Sequence, residues 1–225
     1  MPNDNTTALV SQLGGLVTAL LNSGLVAALA KLWRQWRRTA SGLAEEGLYE
    51  VLEYETTLEL LDRRGQNAML RKRERVKYLQ GGTIAFQDQA WGDGEILLDY
   101  RCSPGVPVDR YRPGHTTYIL ISLREVKSRG DVDEFNIEWG IRRGFLRNSE
   151  LLETEISHRT RWIKAQVIFP PTRPPSRFAV VEDNTQRTQL LPENSLVQLP
   201  DGRWVVTWVK DRPRRFERFS LKWDW

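Results

Sequence analysis

The sequence has few of the residues from which disulfides, metal sites and hydrolytic active sites are built. It contains one cysteine, Cys102, and two histidines, His115 and His158, in 225 residues. One cysteine excludes a disulfide within the chain and is typical of a reducing compartment. None of the three residues lies in a recognisable nucleophile–base or metal-ligand spacing, and no glycine-rich phosphate loop opens a helix. We therefore expect a protein that is not an enzyme and that uses no metal or cofactor.

The composition indicates a folded chain with a mild preference for anionic partners. Nine tryptophans are hard to accommodate in a disordered protein, so a real core is expected. The net charge is +4 and the pI is about 9.3. This balance favours an anionic nucleotide-type ligand or an anionic surface, although it does not require either, and nucleic acid is a lesser expectation.

An apolar segment near the start of the chain dominates the sequence. Residues 8–30 contain no charged side chain, and a membrane-spanning helix needs about 20 residues. A basic and aromatic flank follows it, as at a headgroup layer: Lys31, Trp33, Arg34, Trp36, Arg37 and Arg38. Because basic residues favour the cytoplasmic side, we predict a single pass through the inner or plasma membrane with the C-terminal part in the cytoplasm.

Two other structures fit the same segment. A turn at residues 22–24 would divide it into a soluble helical hairpin that docks on a partner protein. Alternatively, one helix could lie along the membrane surface. A signal peptide fits poorly, because its basic residues would precede the apolar run.

The predicted helix also carries a stripe of small and polar residues. Ser11, Gly15, Thr18 and Asn22 share one face at helical spacing. Such residues let helices approach closely and hydrogen-bond in lipid. We therefore expect the helix to self-associate into a homo-oligomer.

The rest of the chain is predicted to be mainly β. We divide it into a hydrophobic helix over residues 1–40, a linker over 41–47 and a β domain over 48–225, with a candidate subdivision at the prolines of 170–175. Residues 103–114 are expected to form a loop and 117–126 a central strand. The last strand should bury Phe219, Leu221, Trp223 and Trp225. About eleven strands predict an antiparallel sandwich.

The first hairpin of this domain has a charged face. With the turn centred on Gly65, Glu59 would lie opposite Arg71, and Thr57 opposite Arg73. A ladder of glutamate–arginine pairs is the favoured interpretation. Arg73 is nevertheless a candidate anion-binding residue, because the predicted register places Thr57, which has no carboxylate, opposite it.

Arginine clusters near the predicted strand ends are the remaining candidate sites, since arginine suits bidentate contacts with phosphate and carboxylate. These clusters could converge at one end of a sandwich. The candidate anion-binding residues are Arg73, Arg142, Arg143, Arg159, Arg161, Arg214 and Arg215.

Together these patterns predict a membrane-anchored, self-associating signalling or effector protein with a cytoplasmic domain that senses a ligand or partner. A prokaryotic defence effector would work in this way. A soluble adaptor with an N-terminal helical hairpin is the first alternative, and a nucleic-acid-binding module is the second.

Overall fold

The computed structural model describes residues 47–225 of the chain. The chain divides at Glu46 into two units, of which Gly47–Trp225 is the second. The predicted helix over 1–40, most of the linker, the stripe of Ser11, Gly15, Thr18 and Asn22, and the flank from Lys31 to Arg38 therefore lie outside the described residues. Within residues 47–225, no helix is long and apolar enough to cross a bilayer.

The described part is mainly β, as the alternating patterns predict. It forms fourteen strands and one short 3₁₀ helix, Glu193–Ser195. The strands are β1 (Tyr49–Leu60), β2 (Asn67–Tyr78), β3 (Thr83–Ala90), β4 (Glu95–Ser103), β5 (Val106–Tyr111), β6 (Thr117–Lys127), β7 (Val132–Arg142), β8 (Ser149–Glu155), β9 (Trp162–Phe169), β10 (Arg177–Glu182), β11 (Arg187–Leu190), β12 (Leu196–Gln198), β13 (Trp204–Asp211) and β14 (Arg218–Asp224).

The strands form three sheets, where two were expected from a sandwich. The largest has the order β12-β13-β9-β1-β2-β7-β4, the second β11-β10-β14-β8 and the third β3-β6-β5. The fold is not purely antiparallel, because β1 and β9 pair in parallel. β4 is irregular, with positive φ angles at Leu97 and Asp99 and two shifts in its register with β7. The next strand along the chain, β5, belongs to the third sheet.

Two short strands were not expected. β5 lies within the region predicted to be a loop, and it contains Pro107. It is an edge strand of the third sheet, with a register shift just after Pro107, and edges and bulges are where a sheet accepts proline. β12 has only three residues and lies at an edge of the largest sheet.

The pairing register of the β1–β2 hairpin differs from the predicted register by two residues. Leu61 donates its N–H to the carbonyl of Asn67 at 2.9 Å, which centres the turn on Arg64 instead of Gly65. The carboxylate of Asp62 fixes this turn by accepting the backbone N–H groups of Arg64, Gln66 and Asn67. A shift of two residues leaves every side chain on its expected face. A bulge near Leu52 then moves the register by one residue towards the start of β1.

One cluster of buried side chains runs through the three sheets. β6 is the central strand of the third sheet, as predicted. As predicted, the C-terminal strand buries Phe219, Leu221 and Trp223, each at most 2% exposed, whereas Trp225 follows the end of β14 and is partly buried against this core. The chain continues through residues 170–175 as one unit, since β9 pairs with β13 and β8 with β14 across that stretch.

Candidate functional site

Two loops bring four of the predicted arginines to one end of the domain. Arg159 and Arg161 lie between β8 and β9, and Arg214 and Arg215 lie between β13 and β14. Backbone hydrogen bonds join the two loops, including Phe216 N–H to the Ile156 carbonyl at 2.7 Å and Arg212 N–H to the Arg161 carbonyl at 2.7 Å. The Nε of Arg215 also donates to the Ser157 carbonyl at 2.8 Å. We call residues 156–161 and 212–217 the basic loops.

The basic loops lie beside the start of β1, where the chain enters from residues 1–46. Val51 donates its N–H to the Arg159 carbonyl and accepts the N–H of Arg161, both at 2.9 Å. The guanidinium of Arg161 forms an ion pair with buried Glu50 at 2.6 Å. His158 stacks on Tyr49, with the ring centroids 4.3 Å apart. The first described strand is therefore tied directly to these loops.

Arg142 and Arg143 lie at the opposite end of the domain. Arg142 ends β7 and pairs with Asn67 at the start of β2, whereas the basic loops contact the start of β1. The two ends are separated by the length of β1, 12 residues or roughly 40 Å. Arg142 also pairs with Glu95 at 3.3 Å. The clusters therefore do not all converge at one end of the domain. Arg142 lies at the C-terminal end of β7 and Arg159 follows the C-terminal end of β8, and these two strand ends are at opposite ends of the domain.

Arg73 belongs to a ladder of ion pairs on the outer face of the largest sheet. Its guanidinium contacts Glu53 at 2.8 Å, Glu55 at 2.9 Å and Glu134 at 3.5 Å. The residue opposite Thr57 is Arg71, and Arg73 is opposite Glu55. The corrected register thus removes the reason for expecting an unmatched anion site at Arg73.

The opposite face of β2 carries two charged residues in the core. Lys72 and Glu74 are each 8% exposed. The Nζ of Lys72 donates to Asp88 Oδ1 at 2.8 Å and to the Gln89 carbonyl at 2.6 Å, and it lies 4.8 Å from the centroid of the Trp139 ring. Neither carboxylate oxygen of Glu74 makes a hydrogen bond or ion pair with a described residue. This buried polar cluster is the least expected feature of the core.

Burial and mutual interaction shift the pKa values within this cluster. Burial raises the pKa of Glu74 to about 7, opposed by the charge of Lys72. Burial also raises the pKa of Tyr54, which lies opposite Glu74, to about 12. Burial alone would lower the pKa of Lys72, but Asp88 outweighs it and raises the pKa above its usual range. Lys72 is therefore a permanent buried cation, whereas Glu74 titrates near neutral pH.

Sequence reasoning missed Lys72 and Glu74, although a signal was present. The strand alternates, so the residues between the outward Arg71, Arg73 and Arg75 must face the core with Leu70 and Val76. Two charged residues at core-facing positions are rare unless they are paired or functional. The partner of Lys72, Asp88, is on β3, which only the tertiary fold brings near.

A cavity of about 240 Å³ lies above this cluster. Its floor includes Tyr54, Thr56, Lys72 and Trp139 from the largest sheet, and its wall includes Glu150 and Leu152 from β8. Gly92, Asp93, Arg147 and Ser149 form an exposed rim. The cavity is thus lined mainly by apolar and aromatic groups with a few polar ones, which is the usual character of a small-molecule site.

No family model matches this chain, and no curated protein matches its sequence. The site must therefore be interpreted from its own chemistry.

The three residues first considered for catalysis do not form a described site. Cys102 is partly buried on β4, His115 is exposed in the loop before β6, and His158 is packed between β8 and β9. Burial, with Arg215 nearby, lowers the pKa of His158 to about 4. Among the described residues, no group of three or more His, Cys, Asp or Glu side chains could hold a metal ion.

Proposed function

We propose that this protein is a membrane-anchored, self-associating signalling or effector protein whose cytoplasmic β domain senses a ligand or partner. The proposal rests on one observation. The basic loops lie beside the start of β1, at the end of the described domain where the chain begins after residue 46. A domain tethered at this end would present the same loops to the cytoplasmic leaflet.

Electrostatics favours this orientation. An anionic leaflet attracts each arginine near its surface by about 1 kcal/mol, and the attraction fades within a Debye length. Arg159 and Arg214 are exposed, and their guanidinium groups make no ion pair with a described residue. The basic loops would therefore assist a membrane anchor and hold the domain close to the surface.

Self-association would connect sensing to output. If the stripe of Ser11, Gly15, Thr18 and Asn22 brings helices together, clustering of the β domains would concentrate the helices in the membrane. A prokaryotic defence effector could disturb or report to the membrane through such clustering.

Membrane fractionation of the full-length chain tests this function. We expect the protein in the membrane pellet after a high-salt wash, with release only by detergent, because burial of residues 8–30 in lipid does not depend on salt. A monodisperse soluble monomer would contradict the proposal. A soluble oligomer would favour an adaptor with a helical hairpin, and salt-sensitive retention of a soluble chain on a DNA or RNA column would favour nucleic-acid binding.

A further inference from the structure

The cavity has a buried carboxylate, Glu150, that makes no ion pair with a described residue, although the charge of nearby Arg147 acts on it. Glu150 is 9% exposed and lines the wall. One of its oxygens, Oε1, accepts the backbone N–H of Arg147 at 2.6 Å. The other oxygen makes no hydrogen bond or ion pair with a described residue. A buried carboxylate in this state is costly unless a cation or a proton reaches it.

The other charged groups of the cavity have partners. Lys72 pairs with Asp88 beneath the floor at 2.8 Å. Arg147 pairs with Asp93 at the rim at 3.0 Å. The remaining lining carboxylate, Glu153, is 3.6 Å from Arg218. The other four charged side chains of the lining thus each have an ion-pair partner, whereas Glu150 forms no ion pair with a described residue.

The walls favour an organic ring over a bare metal ion. Trp91, Trp139, Tyr54 and Phe145 all line the cavity. Aromatic faces attract organic cations, and an apolar cavity of about 150 Å³ already holds benzene. A metal ion such as Ca²⁺ would need six or more oxygen ligands, and the described residues contain no group of three or more His, Cys, Asp or Glu side chains that could hold one.

We propose that this cavity binds a small aromatic compound carrying an ammonium group, with its ring against the tryptophan and tyrosine side chains of the lining and its ammonium group on Glu150. This ligand differs from the anionic nucleotide-type ligand that the overall charge favours. The biological meaning of the site rests on the sensing role proposed above. Binding itself can be measured whether or not the chain enters a membrane, so failure of either proposal is recognisable.

Three matched probes test the site. Phenethylamine, 2-phenylethanol and 3-phenylpropionate share a ring and differ in charge, and their affinities for the detergent-purified full-length protein can be compared by calorimetry. We expect the amine to bind about tenfold or more tightly than the alcohol, as for a charge-assisted hydrogen bond, and the propionate to bind most weakly. Equal affinities, a preference for the propionate or no binding of the amine would overturn the proposal.

Variants locate the binding to Glu150. Glu150→Gln keeps the shape and the acceptor for Arg147 N–H, and it should reduce amine affinity about tenfold with little effect on the alcohol. Glu155→Gln, on the same strand but outside the cavity lining, is the matched control and should leave both affinities unchanged.

A second variant allows the proposal to be tested even if Glu150→Gln does not fold. Leu151 lines the cavity but is 42% exposed, so Leu151→Lys should be tolerated and should weaken amine binding through like-charge repulsion. Unchanged amine affinity in both folded variants, Glu150→Gln and Leu151→Lys, would refute the site.

Discussion

Lys72 and Asp88 form an ion pair inside the core, with side chains 7% and 2% exposed. The pair is well satisfied, because Lys72 also donates to the Gln89 carbonyl and Asp88 also accepts the Tyr100 hydroxyl at 3.0 Å. The free-energy cost of removing both charges from water offsets much of the electrostatic attraction between them. A buried pair of this kind is therefore more sensitive to the loss of one partner than to the loss of both charges.

This asymmetry is measurable. Lys72→Met should destabilise the protein by about 3–5 kcal/mol, since it leaves Asp88 charged and buried. The double variant Lys72→Met/Asp88→Asn should recover part of this loss, because the asparagine side chain is neutral and its amide oxygen can still accept the hydroxyl of Tyr100. Urea unfolding of both variants and of Asp88→Asn alone gives the coupling. Additive losses would show that the ion pair contributes no coupling energy.

Glu74 predicts a pH effect of a definite sign. Its pKa rises from 4.5 in the unfolded chain to about 7 in the folded protein, so the folded state binds the extra proton between these values. Its contribution to stability is complete below pH 4.5 and is lost as the pH rises through 7.

The effect is measured as a difference between proteins. The free energy of unfolding of Glu74→Gln, minus that of the wild type, should rise by roughly 2–3 kcal/mol as the pH goes from 4.5 to 8. The comparison is needed because His158 acts in the opposite direction: its pKa falls from 6.5 to about 4, so its contribution is lost as the pH falls through that window. His158 is present in both proteins and cancels. Urea unfolding at the two pH values measures the gain, and Glu134→Gln, an exposed carboxylate on β7, should not reproduce it.

At the scale of the element, the β1–β2 turn is shaped by the segment on which it packs. Gly65 has a φ of +67°, and a Cβ placed there would lie 1.7 Å from the carbonyl oxygen of Phe145. The Phe145 N–H donates to the Gly65 carbonyl at 3.2 Å, and the Arg143 N–H donates to the Gln66 carbonyl at 2.6 Å. The turn is thus held by a tertiary contact as well as by Asp62.

Gly65→Ala should therefore cost more than the backbone conformation alone requires. Positive φ costs an alanine about 1–2 kcal/mol, and the clash with the Phe145 carbonyl should raise the loss to about 2–4 kcal/mol. Gly114 is a matched control, since its φ is +70° and nothing lies within 4 Å of the added Cβ. Chemical denaturation should show only about 1 kcal/mol for Gly114→Ala. Equal losses in the two variants would mean that the clash relaxes without cost.

The elements themselves were largely predictable from alternation, whereas their pairing was not. The strand predicted over 117–126 is β6, Thr117–Lys127, and the C-terminal strand buries Phe219, Leu221 and Trp223 as expected. The observed register of the β1–β2 hairpin differs from the predicted one by two residues. The turn is fixed by three backbone hydrogen bonds to Asp62, which alternation does not encode. The β1–β9 pair is parallel and joins residues more than 100 positions apart, and no local pattern specifies such a partner.

At the scale of the whole molecule, the fold decides which of the predicted arginines act together. The pairing of β8 with β14 and of β9 with β13 closes the basic loops around the start of β1. The same topology sends Arg142 and Arg143 to the far end. Sequence position alone could not separate the two sets, because each lies next to a strand end. If the domain is tethered to a membrane as proposed, the basic loops are the end of the domain that we expect to face it.

This direction can be tested with one dye at two positions. In a Cys102→Ser background, Arg214→Cys labels the basic loops, and Arg64→Cys labels the turn at the opposite end of β1, each with the loss of one arginine. The full-length protein is reconstituted into phosphatidylcholine vesicles with or without phosphatidylserine and a headgroup acceptor. Energy transfer from position 214 should exceed that from position 64, because roughly 40 Å of strand separates the two ends. Phosphatidylserine should increase the transfer at position 214, and added salt should reverse the increase as exposed charges are screened. Equal transfer from both positions would mean that the basic loops do not face the membrane.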